Sequence, residues 1–84
     1  MEAQRKLEEL LDLLESNGLK IRYEALGGAG GGLCRIKGGD IFFVDTDARA
    51  IDMATICAEA VSKVVDIEKI YVLPEIRCFI EENS

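Results

Sequence analysis

Cys34, Cys57 and Cys78 are the chain's thiols, and Asp40, Asp45, Asp47 and Asp52 are its densest group of carboxylates. Thiols act as nucleophiles or soft-metal ligands, and converging carboxylates hold hard cations or move protons. Neither set has the company that such chemistry requires. The cysteines lie more than twenty residues apart, so no CxxC pair forms, and an odd number cannot all pair within one chain. Histidine is absent, which removes the commonest zinc ligand and the usual base beside a cysteine or serine nucleophile. Buried, reduced thiols are therefore expected. Cys34 is the one nucleophile that can be named, because it follows a glycine run, and no base is visible for it. The stretch DTDARAID, residues 45–52, lacks the central glycine and terminal glutamate of a calcium loop. Asp45 and Asp47 read better as N-caps of a following helix. No catalytic residue, metal or cofactor is assigned.

The glycines are more suggestive. The stretch LGGAGGGLCRIKGG, residues 26–39, contains seven of the chain's eight. Successive glycines can turn backbone N–H groups inward around an anion, which makes Gly28, Gly30, Gly31 and Gly32, with Arg35 downstream, a candidate ligand loop. The spacing matches neither GxGxxG nor GxxxxGK, and the run leads into a strand, where no helix N-terminus points at a ligand. A hairpin loop or bulge is the plainer account.

The elements that position these residues follow from periodicity. Ala3, Leu7, Leu10, Leu11 and Leu14 make one stripe of a helix that Asn17-Gly18 terminates. Strict alternation then marks LKIRYEAL, residues 19–26, as a half-buried strand. Gly38-Gly39 suggests a two-residue hairpin loop in which Ile36 opposes Ile41, Arg35 opposes Phe42 and Leu33 opposes Val44. Ile51, Ala54, Cys57, Ala58, Val61, Val64 and Val65 define a wide apolar arc on a helix over residues 48–65. IYVL, residues 70–73, reads as a short strand, and Pro74 opens a last helix presenting Ile76, Phe79 and Ile80. The expected fold is a single α+β domain over residues 1–84, ordered α-β-β-β-α-β-α. It has an antiparallel three-stranded meander, a fourth strand parallel to the third, and helices mainly on one face.

Net charge is −6. The ends each carry three excess acids (residues 1–17 and 66–84), while the middle is neutral. That distribution disfavours nucleic acid, which needs a cationic surplus on one face. No apolar run approaches the roughly 18 residues of a membrane helix, and no signal-peptide pattern opens the chain, so a cytoplasmic protein is expected. In the hairpin register above, Cys34, Ile36, Ile41 and Phe43 form the core face. The other face gathers Lys20, Arg22, Leu33, Arg35, Lys37, Phe42 and Val44. Cationic and apolar groups together suit a protein partner with an acidic helix, or a second copy of this chain. A covering last helix is the plain alternative.

The run GGAGGGLCRIKGGDIFFVD, residues 27–45, resembles a family of short, uncharacterised bacterial proteins. These share a Leu/Glu-rich N-terminal helix, a GGxGGLCR-like stretch, a KG turn, an apolar FVD strand and a PEIR-like C-terminal helix. The resemblance spans most of the chain and implies the element order, with no activity attached. A fainter likeness is to small zinc peptidases in which a strand ending near FVD precedes an HExxH helix. Here that helix reads AEAVS: Glu59 matches, but Ala58 and Ser62 stand at the histidine positions, so the likeness implies a shared scaffold without the metal.

Overall fold

A computed structural model describes residues 1–83. It contains helix α1 (Ala3–Ser16), strands β1 (Lys20–Glu24), β2 (Gly32–Ile36) and β3 (Gly39–Asp45), and helices α2 (Ala50–Val64) and α3 (Pro74–Glu82). The class is α+β, as the periodicity indicates. α1 buries Leu7, Leu10, Leu11 and Leu14, the predicted stripe, and ends at Asn17 with Gly18 at a φ of 89°. Pro74 opens α3, where its missing N–H costs nothing.

The sheet departs from the expected meander. Its order is β1-β3-β2, with β1 parallel to β3 and β2 antiparallel to β3. The expected fourth strand is not formed: residues 70–73 are irregular, with Val72 buried and Ile70, Tyr71 and Leu73 exposed. Both sides of β3 are already occupied, so the chain returning from α2 finds no free edge beside it. Val72 joins the core instead.

The hairpin register is also corrected. Its loop is Lys37-Gly38, closed by Ile36 opposite Gly39, so Leu33 opposes Phe42, Cys34 opposes Ile41 and Arg35 opposes Asp40. Gly38, at a φ of 96°, takes the position that a type II turn reserves for glycine. Relative to the expected register, each β2 residue meets a partner two positions earlier. A two-residue shift leaves every side chain on its face.

What inverts is which face is covered. β1 runs beside β3 with Ile21 level with Phe42 and Tyr23 level with Val44, and in-register neighbours project to one side. Leu19, Ile21, Leu33, Phe42 and Val44 therefore share the side that meets α1 and α2, and all five belong to the core or pack against it. Phe42 is wholly inaccessible. Cys34, Ile36, Ile41 and Phe43, expected in the core, neither belong to the core cluster nor pack against it. Around the helices, the Arg77 guanidinium donates to the Ile67 carbonyl at 2.7 Å and to Glu68 at 3.2 Å, pinning the turn before residues 70–73 to α3. The Lys6 ammonium lies 4.6 Å from the centre of the Phe79 ring and joins α1 to α3.

The two adjacent phenylalanines provide the check on this inversion. Phe42→Ala is expected to cost about 3–5 kcal/mol, the range for a buried aromatic, and Phe43→Ala clearly less, both measured by urea denaturation at equilibrium.

Candidate functional site

After β1, the chain must cross the carboxyl end of β3 to begin β2 on its far side, and residues 25–31 make that crossing. Glycine is required where they pass closest. A Cβ on Gly31 would lie 2.6 Å from the Phe43 carbonyl carbon and collide with its oxygen. Gly30 adopts a φ of 86° and brings its backbone against Ile56 of α2.

The crossing is held by the last residue of β3. Asp45 is 1% exposed. Its Oδ1 accepts the N–H of Leu26 at 3.0 Å and of Asp47 at 2.9 Å, and its Oδ2 accepts the N–H of Gly30 at 2.9 Å. Asp47 Oδ2 accepts the N–H of Gly27 at 2.9 Å. Burial alone would raise the Asp45 pKa, but the backbone N–H groups of Gly30, Leu26, Asp47 and Gly28 outweigh it and hold the carboxyl below its ordinary 3.8.

The inward-turned N–H groups suggested by the glycine run therefore exist, and their anion is internal. Gly28, Gly30, Gly31 and Gly32 lie in or beside the crossing, but Arg35 does not join them. It sits three residues along β2 from Gly32, roughly 10 Å at strand spacing, with its guanidinium 4.0 Å from Asp40. Nor do the aspartates cap α2. Its N-cap is Arg49, without a side-chain hydrogen bond, and that guanidinium pairs instead with Asp52 at 2.9 Å. In the sequence Asp45 lies 13 residues beyond Gly32, and only the fold brings it to the glycine run.

The residues of the expected mixed face are divided by the fold. Phe42 and Val44 are core, Leu33 is half-buried against it, and Lys37 lies in the hairpin turn. Arg35 shares their side of the sheet but extends into solvent beside Asp40. Only Lys20 and Arg22 project to the uncovered side, level with Ile41 and Phe43. There they meet Cys34 and Ile36, which sequence reasoning had assigned to the core. Ile36 is 49% exposed, and Cys34, Ile41 and Phe43 are half-buried. The face is thus still cationic and apolar, with a different apolar membership. Glu24 moderates its charge, since the Arg22 guanidinium lies 3.4 Å from that carboxylate. A hollow of about 200 Å³ borders it, lined by Lys20, Ile36, Gly38, Gly39 and Ile41 among others.

A scan against protein-family models, a search of curated proteins and a search of solved structures each found no match. Cys57 is buried in the core, and burial pushes its thiol up to about 12, which leaves it unreactive. Cys34 sits mid-strand opposite Ile41. Among the described residues no cluster of His, Cys, Asp or Glu has the makings of a metal site, and no helix is long and apolar enough to cross a membrane.

The lowered Asp45 pKa fixes a sign. A carboxylate stabilised in the fold contributes above its unfolded pKa and loses that contribution as pH falls through its folded value. Asp45→Asn is expected to be less stable than the native chain at neutral pH, and the difference is expected to close as pH falls below 3.8. Urea denaturation across that range checks it, and amide hydrogen exchange at Leu26 and Gly30 is expected to quicken in the variant.

Proposed function

We propose that this chain is a non-catalytic interaction module whose uncovered sheet face docks an acidic, amphipathic segment of a protein partner. The observation that carries this reading is the position of Cys34, Ile36, Ile41 and Phe43 on the side of the sheet away from the helices. Lys20 and Arg22 project from the same side. Apolar strand residues left uncovered mark interaction surfaces when polar groups rim them. The cations select the partner's charge, and the apolar residues supply the area that leaves water. The strongly acidic ends of this chain make a second copy one partner of the right chemistry, with Asp12 and Glu15 exposed on α1.

The loop reading, an anion or small-ligand site at Gly28, Gly30, Gly31 and Gly32 with Arg35, is supported less well. The N–H groups of Leu26, Gly27 and Gly30 are already committed to Asp45 and Asp47.

A synthetic Glu/Leu amphipathic peptide, with a Lys/Leu counterpart as control, tests the docking reading by NMR titration. The acidic peptide is expected to shift the amides of residues 20–22, 34–36 and 41–43. The shifts should weaken with salt and be lost in the Lys20→Glu/Arg22→Glu double variant. Equal shifts with both peptides, or none with either, would refute the proposal. For the self-docking version, light scattering should show a concentration-dependent mass that Ile36→Asp abolishes.

A further inference from the structure

A larger hollow than the one beside the uncovered face lies between α1, the carboxyl ends of β1 and β3, and the start of α2. It has a volume of about 300 Å³, at the lower end of the range for small-molecule sites. Its inner wall is apolar: Leu7 and Leu11 from α1, Val44 from β3 and Met53 from α2, all buried. Its rim is polar, with Gln4 and Glu8 from α1, the exposed Tyr23 from β1 and Thr46 after β3.

The charge balance of this cleft is one-sided. Asp45 and Glu8 both line it, and no lysine or arginine does. Both carboxylates are hydrogen-bonded by neutral groups. Asp45 accepts backbone N–H groups, and Glu8 accepts the Gln4 side-chain amide at 3.3 Å. Neutral donors stabilise a carboxylate without cancelling its charge, so the cleft keeps the negative charge of Glu8 at its rim, with no lysine or arginine among its lining residues. Of the adjoining basic residues, Arg5 of α1 pairs with Glu9 and Arg49 before α2 pairs with Asp52. A divalent metal is a poor match, since hard cations want several free oxygens and those of Asp45 are occupied by the crossing loop. An organic ammonium needs only one accessible carboxylate and hydrogen-bonding neighbours, which Glu8, Tyr23 and Thr46 provide.

We infer that this cleft binds a small organic cation, with its ammonium head at Glu8 and its apolar body against Leu7, Leu11, Val44 and Met53. The site is separate from the uncovered sheet face and does not depend on that face having a partner.

Three probes with one apolar body and different heads test the inference: benzylamine, benzyl alcohol and benzoate. In NMR titrations, benzylamine is expected to shift amides at residues 4–11 and 44–53 saturably at millimolar concentration, benzyl alcohol more weakly, and benzoate not at all. Glu8→Gln should weaken benzylamine binding about two- to five-fold, the worth of one exposed ion pair. Ala50→Leu, a cleft-lining position at the first turn of α2 where leucine suits the helix, should abolish binding while its amide spectrum remains that of a folded chain. Absence of saturable benzylamine shifts, equal shifts with benzoate, or undiminished binding in Ala50→Leu would each overturn the proposal.

Discussion

The buried carboxylate of Asp45 is the constraint on which the sheet depends. β1 and β2 flank β3 on opposite sides, so the seven residues 25–31 must pass over the end of β3 and deliver the chain to its far edge. Backbone making such a turn presents N–H groups that neither strand nor helix satisfies, and each one left buried without a partner costs about 1–3 kcal/mol. Asp45, as the terminal residue of β3, stands where those groups converge. One side chain satisfies N–H groups on the crossing and on its own following turn.

From that crossing follows the distribution of polarity over the sheet. Because β1 runs parallel to β3, Ile21 and Tyr23 align with Phe42 and Val44 and leave Lys20 and Arg22 level with Ile41 and Phe43. Phe42 and Val44 of the first set are core and Ile21 packs against it, while Tyr23, on the same side, is exposed at the cleft beside α1. The second leaves the protein with a face that is cationic and apolar at once. The polarity of the uncovered face is therefore tied to the strand order, and the strand order to the glycines and the aspartate that permit it. The cleft beside α1 is a separate outcome of the same topology, since it opens where the two parallel strands end together.

Much of this was legible in the residues. The α1 stripe, its Asn17-Gly18 stop, the Pro74 start of α3 and the helix through Cys57 all follow from local pattern and capping chemistry. So did the sorting of β2 and β3 side chains into two sets, because an even register error preserves parity. Strand order did not, because sequential strands usually pair and the crossing loop carries no pattern of its own. The face holding Phe42 and Val44 reads as the mixed one because Arg35 and Lys37 share it, whereas the fold buries it against α1 and α2. The IYVL segment has strand-like composition, yet β3 has no free edge to offer it. Asp45 was read as a cap because aspartate before a helix commonly is one. Only the position of the loop in space reveals a stronger claim on its oxygens.

The most direct measurement is of the hydrogen bonds themselves. Through-bond NMR couplings from the amide nitrogens of Leu26 and Gly30 to the side-chain carboxylate carbon of Asp45 report whether those groups are joined. A resolved coupling is expected for both amides, with slow exchange of their hydrogens. Missing couplings, together with exchange at the rate of an unstructured chain, would contradict it.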